Sequence, residues 1–216
     1  MIIRKYISSD RTQVEHIQSE TYFLGKSSGP FVTDKKRIHK DISFYLEKEP
    51  ESCFVAVDKN KVVGYLLGCL DDKNHGESNF QFLVKSLANL FIIPFMDKKD
   101  RRFWWARTKM IFYAVSGRTE DAKFKTPKDS GHIHINLLSQ ARGKGVGTKL
   151  MKEFFKYARS KGVKTIHADS FETGLNPNKN FWLKNGFKEY CKVKTAFWKE
   201  YYPREKINVV CYIKEL

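Results

Sequence analysis

A chain of 216 residues, 41% hydrophobic and 30% charged, is long enough for one sizeable core and too apolar to stay disordered. Forty Lys and Arg against 24 Asp and Glu give a net charge of +16. The basic residues are spread along the chain (Lys35-Lys36-Arg37, Lys98-Lys99, Arg101-Arg102), which reads as a solvated surface and not a nucleic-acid track. The longest greasy stretch, residues 82–96, is interrupted by Lys85 and Pro94 and falls short of the ~20 residues of a membrane span. Met1 to Tyr6 lacks an apolar signal core. Cys53, Cys69, Cys191 and Cys211 contain no CxxC pair, so buried reduced thiols are expected, without zinc or disulfides. No nucleic acid, membrane or metal partner is expected, and the location expected is cytoplasmic.

Taken in chain order, Ile2 to Ile7 reads as a strand. Asp10 caps a helix with Val14 and Ile17 on one face. Thr33 caps a second helix carrying Ile38, Ile42, Tyr45 and Leu46, and Pro50 stops it. Cys53 to Val57 and Val62 to Leu70 are strands joined by a turn at residues 58–61. Residues 71–130 have polar ends and an apolar, basic middle, and read as a helical insertion. Its Phe91 to Phe95 and Trp104-Trp105 stretches suit core or homodimer contacts better than a lid. His132 to Leu138 is a strand, Gly145 to Lys161 an amphipathic helix, and Lys164 to Phe171 a strand. Asn176 and Pro177 open a further helix, which Gly186 closes. Phe187 to Val193 and Ile207 to Ile213 finish as strands. The pattern is α/β with a mixed sheet, one domain over 1–216.

One segment carries chemistry, Gln140-Ala141-Arg142-Gly143-Lys144-Gly145-Val146-Gly147-Thr148. It joins a strand to a helix. Its glycines allow close backbone approach, and the first helical turn offers N–H groups and a positive dipole end to an anion. Arg142 and Lys144 add charge. A tight turn with no ligand would use the same glycines. A P-loop fits poorly because Lys144 precedes its glycine, and a dinucleotide fingerprint because Thr148 replaces the third glycine.

Here the sequence resembles the GNAT acetyltransferase superfamily, whose Arg/Gln-x-x-Gly-x-Gly/Ala lies between the fourth strand and the next helix. Arg142, Gly145 and Gly147 match in one register, and Gln140, Gly143 and Gly145 in another. Downstream, Asn176 followed by Phe181-Trp182-Leu183-Lys184-Asn185-Gly186-Phe187 is similar to the family's Asn and Phe-Tyr-x-x-x-Gly-Phe. Residues 132–138 also resemble, loosely, a bacterial subgroup similar to the acetyltransferase-like domain of some O-GlcNAc hydrolases.

The resemblance implies a GNAT fold: a mostly antiparallel sheet of about seven strands flanked by helices, the 71–130 insertion falling between the third and fourth strands. It implies acetyl-CoA as cofactor, held by Leu137, Leu138, Gln140, Arg142, Gly143, Lys144, Gly145, Val146, Gly147, Thr148, Asn176, Phe181 and Trp182. The main-chain N–H of Leu137 or Leu138 would polarise the thioester carbonyl. The implied reaction is direct acetyl transfer to a primary amine of a small molecule or peptide; a non-catalytic acyl-CoA-binding module is the alternative. An amine with a pKa near ~10.4 must shed a proton, and His134, Asp169 and Glu172 are candidates to take it. Trp182 replaces the family's acidic Tyr and cannot act as an acid, which leaves Ser170 or Tyr190 as stand-ins or packing as its role. Net charge alone favours a neutral or anionic acceptor, unless acids line the cleft.

Overall fold

The computed structural model describes residues 1–70, 93–117, 119–174, 178–196 and 198–216. Seven strands form one sheet: β1 (Ile2–Lys5), β2 (Phe54–Asp58), β3 (Lys61–Cys69), β4 (Gly131–Leu137), β5 (Thr165–Glu172), β6 (Lys188–Lys194) and β7 (Asn208–Glu215). Their order is β1-β2-β3-β4-β5-β7-β6. Every pairing is antiparallel except β4 with β5. The last strand inserts between β5 and β6, a crossover that sequence order does not reveal. The β2–β3 turn has Lys59 and Asn60 at positive φ, which matches the right-handed twist of a hairpin.

Among the described residues, five α-helices flank the sheet: α1 (Arg11–Thr21), α2 (Lys35–Lys48), α3 (Lys98–Val115), α4 (Val146–Ser160) and α5 (Lys179–Lys184). On one face, Leu150, Met151, Phe154 and Ala158 of α4 pack against Leu66, Ile133, Ile166 and Tyr212. Gly68 allows this close contact, since a Cβ there would lie 2.1 Å from the Phe154 ring. On the other face, Val14, Ile17, Ile42 and Tyr45 of α1 and α2 cover Val55, Tyr65 and Leu67. A third cluster joins Phe103 of α3 to Phe23, Ile38, Trp198 and Ile207. The insertion therefore follows β3 as expected, and α3 anchors it by core contacts. Phe95 and Trp105 are exposed, Ile93 is buried, and Phe91 lies outside the described residues.

Some helix starts differ from expectation. Asp10 makes no cap hydrogen bond to α1; its carboxylate takes Arg4 at 2.6 and 2.8 Å and the Ile7 N–H at 3.1 Å, closing a 3-10 turn. Asp34, not Thr33, caps α2 through the Lys36 N–H, while the N–H groups of Thr33 and Asp34 donate to Asp100 of α3. Asn178 precedes α5, and Asn176 and Pro177 lie outside the described residues. Gly186 closes that helix at φ +82°. All four cysteines are free thiols; burial pushes that of Cys53 up to about 12.

Candidate active site

The site begins where the sheet fails. Strands β4 and β5 pair with each other at Gly131↔Ile166 and His132↔His167, then diverge, β4 to Leu137 and β5 to Glu172, each still paired on its other side. The exposed inner edge of β4 can be read from its other side. Leu138 N–H donates to Val63 O at 3.0 Å, and Leu137 sits opposite Gly64. Leu137 is thus a non-hydrogen-bonded position of the β3–β4 ladder, and its N–H and C=O turn toward the gap. Ile135, two residues back, turns the same way. An extended ligand arm could add to this edge as a strand does.

Directly after β4 the chain makes a 3-10 turn, Ser139–Ala141, then passes through Gly143 and Gly145 at φ +72° and +73° into α4. A Cβ at either glycine would meet nothing within 4 Å, so both border open space. Gly147 is different: a Cβ there would come within 2.8 Å of the Phe181 ring, so it allows the start of α4 to close on α5. The resulting cleft, about 400 Å³, is lined by Leu137, Gly143, Gly145, Thr148, Phe181 and Trp182 among others. It combines glycine backbone with the free N-terminus of a 15-residue helix, the donor set a pyrophosphate needs. Arg142 serves as a clasp: its Nε donates to Leu137 O at 2.9 Å and an Nη to Gly25 O at 3.1 Å.

A second cleft of about 420 Å³ opens on the α1–α2 face, and the two share Gly25, Ile135, Asn136, Asn178 and Trp182. Its floor is largely polar because alternate residues of β4 and β5 face that side: His132, His134 and Asn136, with Asp169 and the apolar Phe171. His134 Nε2 lies 3.2 Å from Gln18 Oε1, Tyr65 Oη and Asn136 Nδ2, and its ring stacks on Tyr65. Farther along the wall, Tyr22 donates to Asp41 at 2.9 Å and accepts from Arg107 of α3 at 3.1 Å. Burial raises the Asp41 carboxyl above its usual range, against the opposing pull of Arg107 and the Tyr22 bond. Asp41 and Asp169 thus place two acids in the cleft of a basic protein.

The family model described as "Acetyltransferase (GNAT) family" matches residues 11–187. The chain belongs to the GNAT acetyltransferase family. It is accordingly an acyltransferase, and its seven-stranded sheet with the β4–β5 splay is a GNAT fold. No curated protein sequence matches it significantly. Among solved structures it is similar to SsHAT, at TM-score 0.64 and 21% identity over 99% of this chain and 97% of that one. It is similar to the ribosomal-protein-alanine N-acetyltransferase of Brucella melitensis, at 0.54 and 16% over 100% of both chains. It is also similar to the Drosophila melanogaster polyamine N-acetyltransferase, at 0.55 and 13% over 100% and 99%. At these identities the likeness is one of fold.

The cofactor that the GNAT fold implies is acetyl-CoA, and the residues present fit it: open space over Gly143 and Gly145, a helix N-terminus, and an unpaired strand edge leading inward. Of the residues expected to hold it, Leu137, Arg142, Gly143, Gly145, Val146, Gly147, Thr148, Phe181 and Trp182 line one cleft. Leu138 is corrected: its N–H donates to Val63 O of β3, whereas that of Leu137 turns toward the gap. Gln140 and Lys144 are exposed and lie outside the cleft lining. Asn176 lies outside the described residues.

Among the proton acceptors, His134 and Asp169 share the second cleft, but Glu172 does not line it. Burial alone would raise the Glu172 carboxyl, but bonds from Tyr212 and from Lys192 at 3.0 Å hold it below the usual range, which makes it a poor base. Tyr190 is half-exposed on β6 and does not border either cleft, whereas Ser170 faces Asn178 in the second. Trp182 is buried, stacks on Tyr212, and has its Nε1 shut off from solvent with no partner among the described residues. Sequence reasoning passed over Asp41, Arg107 and His167, which come from three separate elements with no common motif.

Proposed function

We propose that the chain is an acetyl-CoA-dependent N-acetyltransferase that acetylates a small primary amine by direct transfer. One observation carries this reading: a cleft suited to a pyrophosphate and a polar cleft suited to an amine meet at Trp182, beside the gap between β4 and β5. A non-catalytic acyl-CoA-binding module would have no use for the second cleft. Bound acetyl-CoA supplies the activated acetyl group as a thioester.

The chain's own residues then have assignable tasks. Gly143, Gly145 and the first turn of α4 bind the pyrophosphate with backbone N–H groups. Leu137 offers its N–H to the thioester carbonyl, where negative charge develops. Asp169 and His134 are placed to take the proton of an incoming ammonium, directly or through water. Trp182 walls the junction and excludes water. Because a thiol with a pKa near ~8.5 leaves readily as a thiolate, no strong acid is required in place of the missing Tyr.

Asp41 and Asp169 meet the condition under which net charge no longer favours a neutral or anionic acceptor. Two acids against one cation, Arg107, in that lining favour a cationic amine, in keeping with the polyamine substrate named for the Drosophila neighbour. Acetyl-CoA dependence fits a cytoplasmic protein. Isothermal titration should give saturable acetyl-CoA binding, and an acceptor screen should release CoA thiol with diamines ahead of amino acids. Absence of acetyl-CoA binding at millimolar cofactor would defeat the proposal; binding without turnover on any amine would revive the non-catalytic module.

A further inference from the structure

The root of the splay brings together three side chains that no sequence motif joins. His132 and His167 are cross-strand partners in the parallel β4–β5 ladder, with ring centroids 4.8 Å apart, and Asp169 is two residues beyond His167 on the same face. Each offers one ligand atom, and these atoms lie within 4.8 Å of one another. We infer that His132, His167 and Asp169 form a binding site for a divalent late transition-metal ion of the zinc class.

The surrounding bonds prepare the imidazoles for this role. Ser130 donates its hydroxyl proton to Pro127 O at 3.0 Å, and its Oγ also lies 2.9 Å from His167 Nδ1. A hydroxyl has one proton, so His167 Nδ1 must be the donor in that bond, and the lone pair resides on Nε2. His132 Nδ1 lies 2.6 Å from the Tyr45 hydroxyl; in the tautomer whose Nδ1–H donates to the Tyr45 oxygen, the ligating lone pair is on Nε2. Ligating histidines are commonly oriented by such partners on the other ring nitrogen. His167 is buried, His132 half-buried and Asp169 exposed, so a sheltered imidazole pair is completed by a solvent-facing carboxylate. Two imidazoles and one carboxylate suit zinc, cobalt or nickel, whereas calcium and magnesium prefer oxygen alone. Three protein ligands leave a position open. His132 and Asp169 line the second cleft, so that position faces the approaching amine.

The site itself is independent of the proposed reaction. Its consequence rests on that reading: a bound dication would occupy the lone pair of Asp169 and repel an ammonium, so zinc would inhibit competitively with the acceptor.

The test uses chelator-treated, tag-free protein, titrated with Co²⁺ by visible absorption and with Zn²⁺ by calorimetry, without cofactor or acceptor. We expect one ion per chain. His132→Gln and Asp169→Asn should each raise the Zn²⁺ Kd at least about tenfold, and Ser130→Ala by about tenfold. Asp169 is exposed, so its variant tests the site even where His132→Gln fails to fold. Absence of saturable uptake by the native protein, or Kd values unchanged in both ligand variants, overturns the site; in the latter case the ion sits elsewhere, as at His39 and Glu15. Acetyl-CoA titrated into the same samples separates the two ideas: intact cofactor binding without metal uptake defeats the metal site alone.

Discussion

The two clefts that meet at Trp182 are built on opposite plans. The first uses backbone: two left-handed glycines, a helix N-terminus and a strand edge, nearly all within residues 137–148. The second uses side chains brought from α1, α2, α3, β4 and β5, held by hydrogen bonds such as Tyr22–Asp41 and His134–Gln18. A cofactor common to a family can be held by invariant backbone geometry. An acceptor that varies requires side chains, which can change without disturbing the fold. The comparison predicts that lesions in one cleft should leave the other's ligand untouched.

The largest effect is expected at Gly145. Gly145→Val would fill the space over the turn with a branched side chain and strain a residue at φ +73°. Calorimetry should show acetyl-CoA binding abolished while circular dichroism shows the fold retained; retained binding would remove the pyrophosphate from this turn. On the acceptor side, Asp169→Asn should lower kcat by about a hundredfold, the scale of a lost proton acceptor, with the acetyl-CoA Kd unchanged. A parallel fall in cofactor affinity would show that the two clefts are not separable.

Trp182 sharpens the comparison because it belongs to both clefts. Trp182→Ala removes a buried ring and should cost about 3–5 kcal/mol of stability as well as weaken acetyl-CoA, whereas Trp182→Tyr should keep or raise kcat. Trp182→Phe separates packing from hydrogen bonding: a hundredfold loss of kcat at unchanged affinity would assign a direct role to the indole N–H. Asp41→Asn should act more mildly, raising KM for a diamine about tenfold while leaving that for a neutral amine, and the cofactor Kd, as they were.

The smallest effect concerns a residue in neither lining. Glu172 is held below the usual carboxylate range in the folded state, so it contributes stability that is present above its unfolded pKa of ~4.3 and lost as pH falls through the lower folded value. Glu172→Gln should flatten the acid limb of Tm against pH and lower Tm at neutral pH, with kcat and acetyl-CoA affinity near those of the native protein. A large loss of kcat would return Glu172 to the chemistry.

The sequence by itself determined the first cleft. Its glycines, helix start and preceding strand are contiguous, so local backbone rules with the family resemblance pointed to residues 137–148, of which Leu138, Gln140 and Lys144 lie outside the lining, and the Phe181 to Phe187 motif pointed to the helix that closes on Gly147. Strand alternation also placed His132, His134 and Asn136 on one face. Only the tertiary structure decided the rest. That Leu137 and not Leu138 turns its N–H to the gap depends on hydrogen-bond phase with β3, and phase is a property of pairing, not of either strand alone. That β7 enters between β5 and β6, and so locks Tyr212 onto Glu172, depends on a crossover. That Asp41 meets Arg107, and His132 meets His167, depends on long-range packing of segments whose spacing in the chain carries no periodic signal.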